Sequence, residues 1–314
     1  MNIALTGSSG FIGSNLANFL EDINSINVIF INRSLKNNDS KENEFTLDEF
    51  FNNKILLNID LIIHLASPNF DYENESHLND GIVKLTKNIL FKAPSYNCKN
   101  FIYFSSCKIY GESSYKNQIY NENSRSNALT DYAKAKLEAE FFVNEICKNL
   151  NINFTIYRLP FVYGKGMSSN LAKITKALDK SIPFFIFSNN LNLKKSFLSI
   201  KNIELALKKN INDTSSISNE IFNLADSNSL SLSQFIESYK IKSNSRSIII
   251  KLSPKFFYIL GRIPFLGKLI IKVFGSFEVD NKKIQKMYGL KLFSSEEGIS
   301  EYINDVKKLL WMLV

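Results

Sequence analysis

The 314-residue chain predicts an α/β fold, a parallel sheet with helices on both faces. Three observations predict it. Short apolar runs alternate with helical stretches through the first half of the chain. A turn with regularly spaced glycines follows the first apolar run and opens a helix. Beyond Pro160 the alternation loosens, broken by Gly164, Gly166, Pro183, Pro254 and Pro264, and a smaller C-terminal lobe is expected there.

The elements follow in order. Ile3–Leu5 reads as a buried strand and Phe11–Leu20 as the helix after it. Val28–Ile31 is the second strand, and the polar segment Lys36–Glu44 a surface loop. Ile59–Leu65 and Phe101–Phe104 are further strands. Thr130–Leu150 reads as a long helix, with Ala133, Leu137, Glu140 and Phe141 at turn spacing. Phe154–Tyr157 is the next strand, and Ile221–Leu224 returns to the sheet. Strands that are apolar throughout belong to a sheet covered on both sides. The division expected is a sheet domain of residues 1–163 with 196–225 returning to it, and a lobe of 164–195 and 226–314. No internal repeat interrupts this order.

Composition narrows the class. A hydrophobic fraction of 45% and a charged fraction of 22% are those of a globular protein. The net charge is +8 and the isoelectric point about 9.1. The charges read as scattered in a chain rich in Lys, Asn and Ile. A phosphorylated small molecule is therefore a better partner than nucleic acid. Cys98, Cys107 and Cys147 form no CxxC pair, and His64 and His77 are the only histidines. No disulfide framework or metal site is expected, and a reducing cytoplasm fits. No signal peptide is evident at the start. Phe256–Phe274 is the most apolar region, but Arg262, Pro264, Lys268 and Lys272 interrupt it. It reads as amphipathic segments packed in the lobe, the alternative being contact with a membrane surface through basic residues beside an apolar face.

The first chemical motif is Thr6-Gly7-Ser8-Ser9-Gly10-Phe11-Ile12-Gly13. Between a strand and a helix, Gly7 permits the tight turn and Gly10 lets backbone approach a pyrophosphate. Gly13 lets helix and strand pack closely. Ser9, Phe11 and Ile12 complete the loop and helix start, where free N–H groups face phosphate oxygens. This is the context of a Rossmann-type doubly wound sheet binding a nicotinamide dinucleotide, although the spacing is GxxGxxG. The second strand ends in Asn32-Arg33, where NAD binders commonly place an acid for the ribose 2′-hydroxyl. Arg33 can pair with a 2′-phosphate, which favours NADP. Asp39 lies too far along the loop to replace the acid.

The second motif is Tyr132-Ala133-Lys134-Ala135-Lys136. Tyr132 and Lys136 are four residues apart on a helix and share a face. A phenol with a pKa near ~10 is a poor base at neutral pH. A neighbouring ammonium stabilises its phenolate. Ser106 stands 26 residues before Tyr132, at the C-terminal end of a strand, the edge at which ligands bind in such sheets. Its hydroxyl can bond the oxygen whose C–O bond changes order.

In combination these motifs resemble the extended short-chain dehydrogenases/reductases that modify nucleotide sugars. The resemblance runs through TGSSGFIG, IDLIIHLAS at 59–67, FIYFSSCKIYGE at 101–112, YAKAK at 132–136, YRLPFVYGKG at 157–166, KSFLSIKNIELAL at 195–207 and EIFNLADSNSLSLSQF at 220–235. It implies that Tyr132 and Lys136 are the catalytic pair, that Ser106 assists, and that Lys136 also holds the nicotinamide ribose. It places Leu65 and Ala66 beside NAD or NADP. It implies a substrate lobe in which Asn170 and Lys195 meet the nucleotide diphosphate, with Lys195 standing where arginine is frequent. Lys108 replaces a threonine common in sugar epimerases and is a further substrate candidate. A homodimer is the assembly implied.

Two chemistries share this apparatus. A reductase delivers hydride to C4 of a dTDP- or UDP-linked 4-keto-6-deoxyhexose, with Tyr132 as general acid. A 4-epimerase withdraws hydride from C4 and returns it to the other face. Asn32-Arg33 favours the reductase and a consumable NADP(H), in deoxysugar and surface-polysaccharide biosynthesis. Cys107-Lys108 lacks the Asp–Glu pair of a dehydratase. A non-catalytic NAD(P)-binding sensor is the remaining alternative, against which the intact Ser106, Tyr132 and Lys136 argue.

Overall fold

A computed structural model of the protein describes residues 1–34, 43–67, 78–114, 116–188 and 193–312. Most of the expected Lys36–Glu44 loop, Asp39 and His77 lie outside the described residues. The chain divides into two compact units. The first comprises 1–109, 126–158 and 207–222; the second comprises 110–125, 159–206 and 223–314.

The first unit is built on a seven-stranded sheet. Its strands are β1 (Asn2–Thr6), β2 (Asn27–Asn32), β3 (Glu44–Thr46), β4 (Leu61–His64), β5 (Asn100–Ser106), then Asn153–Leu159 and Glu220–Asn223. Their spatial order, from one edge, is Glu220–Asn223, Asn153–Leu159, β5, β4, β1, β2, β3. β1 pairs in parallel with β2 and β4, β2 with β3, and β4 with β5. This is the doubly wound order, and its direction reverses between β1 and β4, where such sheets open a ligand crevice. Ile3, Leu5, Ile29, Ile62, Phe101 and Ile156 are all buried, as strands covered on both faces require.

Helix α1 (Phe11–Glu21) begins at Gly10 without a side-chain cap and buries Gly13, Leu16 and Leu20. The Asp131–Leu150 helix is capped by Thr130, whose hydroxyl accepts from Ala133 N at 3.2 Å, and ends at Asn151 in the left-handed conformation. Of the residues at turn spacing, Ala133 and Glu140 are buried while Phe141 is exposed. Ala139, Val143 and Ile146 define the packed face instead. The short strand Glu44–Thr46, which the sequence reading placed at a loop end, joins the sheet edge beside β2.

In the second unit, two-stranded parallel pairs form between Phe161–Tyr163 and Phe197–Ser199, and between Phe184–Phe187 and Ile249–Leu252. The apolar stretch near the C-terminus forms two helices, Pro254–Gly261 and Pro264–Phe274. Among the described residues no helix is long and apolar enough to cross a membrane, and no cluster of side chains could hold a metal ion. Cys98, Cys107 and Cys147 are buried and form no disulfide.

Candidate active site

The loop after β1 has the form a phosphate cradle needs. Gly7 lies at φ 77°, which L side chains rarely adopt. A Cβ there would also stand 2.8 Å from Ala66 N, so Gly7 is pressed against the Leu65–Ala66 backbone that leaves β4. A Cβ at Gly13 would stand 2.0 Å from Gly7 O, so this glycine lets α1 close onto the loop. Gly10 differs. A Cβ there would meet only Gly7 O, at 3.4 Å. The protein's own packing does not require glycine at this point, and the bare loop leaves room for an approaching ligand. The uncapped first turn of α1 adds N–H groups and a positive dipole end. These residues fit a dinucleotide pyrophosphate.

β2 ends beside this loop. Asn32 accepts from Ser8 Oγ at 2.8 Å, and Arg33 next to it is exposed. Leu65 and Ala66 are partly buried after β4. Ala66 N donates to Thr6 Oγ1 at 3.3 Å. That hydroxyl pairs with His64 Nδ1 at 2.7 Å, and His64 Nε2 lies 3.0 Å from Thr86 Oγ1. Thr86 donates to Ile82 O at 2.6 Å, so it accepts from Nε2–H, and Thr6 donates to Nδ1. Burial, and secondarily the charge of Lys136, push the His64 pKa down to about 3. This neutral imidazole ties the ends of β1 and β4 together beneath the glycine loop.

The first unit also brings Ser106, Tyr132 and Lys136 together. Ser106 ends β5 and is buried. Tyr132, in the first turn of the Asp131–Leu150 helix, is partly buried. Burial raises its pKa, and a hydrogen bond with the Ser106 side chain opposes that rise. Lys136, one turn on, is 3% exposed, and its Nζ donates to Phe104 O at 2.8 Å. Nζ lies 6.0 Å from the Tyr132 ring centroid and 4.8 Å from that of Tyr103. Burial pushes the Lys136 pKa down to about 7, while the charge of Glu140 works the other way. The phenol is therefore held protonated beside a lysine that changes charge near neutrality.

Sequence reasoning missed the layer beneath. Glu140, one turn beyond Lys136, receives Arg158 through Nε at 3.0 Å and a terminal nitrogen at 2.7 Å. Ser105 donates a short hydrogen bond to the same carboxylate. All three are buried. The signals were Glu140 repeating the Tyr132–Lys136 interval and Arg158 interrupting the apolar strand Asn153–Leu159. The pair ties the Asp131–Leu150 helix to the strand Asn153–Leu159, and the Glu140 carboxylate favours positive charge at Lys136.

The three substrate candidates are placed as follows. Lys108, partly buried in the turn after β5, directs its backbone N–H at Ser106 Oγ over 3.3 Å. In the second unit, Asn170 is exposed at the first turn of the Asn170–Asp179 helix. Lys195 is buried, donating to Ser113 Oγ at 2.6 Å and Lys272 O at 3.0 Å, which ties three segments of that unit.

The fold is that of a dinucleotide-binding α/β class, and the first unit gathers Ser106, Tyr132 and Lys136 at the end of β5. Residues 3–225 match the NAD dependent epimerase/dehydratase family, and the chain belongs to it. It is 23% identical over 305 residues to a UDP-glucose 4-epimerase of Vibrio cholerae, covering 92% of this chain and 90% of that protein. It is 23% identical over 201 residues to an Escherichia coli dTDP-4-dehydro-6-deoxyglucose reductase, covering 61% and 62%. The crystal structure of a Bacillus cereus UDP-glucuronic acid 4-epimerase in complex with NAD shares the fold, with a TM-score of 0.75 at 20% identity, covering 98% and 99%.

Proposed function

We propose that the protein reduces the C4 keto group of a dTDP- or UDP-linked 4-keto-6-deoxyhexose at the expense of NADPH or NADH, within deoxysugar synthesis for surface polysaccharides. The observation that carries this reading is the end of β2. Asn32, engaged with Ser8, stands where an acid would favour NAD, and an exposed Arg33 follows it. A consumable NADP(H) belongs with net reduction. The protonated resting state of Tyr132 supports the same direction.

The glycine loop from Gly7 to Gly13 would hold the pyrophosphate, with Leu65 and Ala66 alongside and Lys136 at the nicotinamide ribose. When bound, the nicotinamide supplies the hydride for C4. Tyr132 gives its proton to O4 as negative charge develops there. Ser106 hydrogen-bonds the same oxygen. The charge of Lys136 lowers the cost of the phenolate left on Tyr132. Lys108 and Asn170 are proposed to contact the sugar nucleotide, and Lys195 to act on its binding through placement of Ser113 and of the Lys272 backbone.

The second reading is a nucleotide-sugar 4-epimerase, favoured by the Vibrio cholerae relative matched along 92% of this chain. Loss of absorbance from NADPH or NADH, followed with dTDP- or UDP-4-keto-6-deoxyglucose, separates the two. Stoichiometric consumption is expected, and Tyr132→Phe should lower turnover by about 10²–10⁴-fold. No consumption, with interconversion of UDP-hexoses at constant cofactor, would replace the reductase with the epimerase.

A further inference from the structure

The net charge of the protein is concentrated in one segment. From Ser238 to Phe277 the chain carries eight lysines and arginines and no aspartate or glutamate. The whole chain has 38 basic and 30 acidic residues, so everything outside this segment is balanced at 30 of each. The charges read as scattered along the sequence because they form no long run; the missing acids are what set the segment apart.

The same segment exposes apolar side chains. The helices Pro254–Gly261 and Pro264–Phe274 are seated through Phe257 and Ile270 on Phe187 and Leu193. They approach closely at Gly267, where a Cβ would stand 2.2 Å from Gly261 O. That seating uses one side of each helix. Phe256 remains 54% exposed, Tyr258 55%, Ile259 58%, and Ile263 and Leu269 48% each. Lys255, Arg262 and Lys268 are exposed among them. Lys251, by contrast, is paired with Glu237 at 2.6 Å. A helix with apolar residues on its outer side calls for an apolar partner. A second copy meeting this face across a two-fold axis would oppose like charges. A nucleic acid would leave the aromatic and aliphatic side chains in water. Basic groups interleaved with exposed Phe, Tyr, Ile and Leu match an anionic lipid interface.

We propose that the Pro254–Phe274 helices form a peripheral anchor that seats the protein on an anionic phospholipid surface. Phe256, Tyr258, Ile259, Ile263 and Leu269 enter the headgroup–acyl boundary, and Lys255, Arg262 and Lys268 lie at the phosphates. This takes up the surface contact that the sequence left as the alternative to packing within the lobe, and stands apart from the proposed reaction.

The test is flotation of the full chain with vesicles of phosphatidylcholine plus phosphatidylglycerol, against phosphatidylcholine alone. Binding is expected only with phosphatidylglycerol and should weaken with salt. Each basic residue removed should lower partitioning about fivefold, so the triple change Lys255→Ser, Arg262→Ser and Lys268→Ser should cost about a hundredfold. Phe256→Ser with Ile259→Ser should also release the protein from phosphatidylglycerol vesicles. Thermal melting should be unchanged in both variants, as should NADPH consumption where the reductase reading holds. No flotation with phosphatidylglycerol overturns the anchor, whatever the reaction proves to be. So does a salt-stable dimer in sedimentation that Phe256→Ser and Ile259→Ser dissociate, or DNA binding abolished by the triple change without any vesicle binding.

Discussion

Among the described residues, each unit buries one carboxylate at a junction of its elements, and the two are stabilised differently. In the first unit Glu140 meets Arg158, a permanent cation, with Ser105 on the remaining lone pairs. In the second unit Asp226 meets only neutral donors. Ser199 N and Asn202 Nδ2 donate to one oxygen at 2.8 Å each, and Tyr163 OH and Ser295 Oγ to the other at 2.9 Å each. Burial pushes the Asp226 pKa up to about 6 despite those four donors. Dipoles satisfy the geometry of a buried carboxylate without matching the hydration it gave up. The carboxylate that has a counter-ion is the one that also favours the charged form of Lys136.

The comparison can be broken at either carboxylate. Glu140→Gln leaves a buried guanidinium without its counter-ion, and a loss of about 3–5 kcal/mol is expected in chemical denaturation. Pairing it with Arg158→Met should recover most of that loss. Asp226→Asn orphans no charge, so the expected loss is smaller, about 1–3 kcal/mol, with turnover of the purified protein unchanged. An equal loss at both sites would mean that the counter-ion at Glu140 makes no difference.

Lys136 sharpens the contrast through pH. With its pKa near 7 and the phenol proton held far higher, kcat/KM should fall as pH rises above about 7, up to tenfold per unit. Glu140→Gln should move that fall to lower pH. A pH profile flat to 9 would remove Lys136 from the charged state assigned to it.

Stability against pH gives the finest test. The folded pKa of Asp226, about 6, lies above its ordinary 3.8. Its contribution is full below 3.8 and lost as pH rises through 6. His64 is lowered from 6.5 to about 3, so its contribution is present above 6.5 and lost as pH falls toward 3. Between 3.8 and 6 the two oppose each other. Relative to the unaltered chain, Asp226→Asn should lose stability faster on acidification and His64→Gln more slowly. Each difference should be at most about 1.4 kcal/mol per pH unit. Parallel curves for all three proteins would show that neither group is held as described.

Much of the fold was legible because its signals are local. The apolar runs from Ile3 to Ile156 became sheet strands. The glycine loop became the strand-to-helix turn at the point where the sheet order reverses. Other features were hidden. The edge strand Glu44–Thr46 is three partly buried residues with no periodicity to read. Lys195 carried no sign of its ties to Ser113 and Lys272, 82 and 77 residues away. Glu140 looked like one more helical spacing residue until Arg158, 18 residues on, turned toward it.

The sequence by itself determined what backbone geometry dictates over a few residues. It set where the chain turns at Gly7, where α1 presents its N-terminus, and that Tyr132, Lys136 and Glu140 share one helix face. Those properties follow from φ restrictions and the helical repeat, which need no distant partner. Only the tertiary structure decided which groups carry charge and which faces stay uncovered. It put His64 in a neutral chain of hydroxyls, gave Glu140 a cation and Asp226 none, and left Phe256, Tyr258 and Ile259 facing outward among basic residues. Desolvation and pairing depend on segments that meet only when the chain folds, so no local spacing could have announced them.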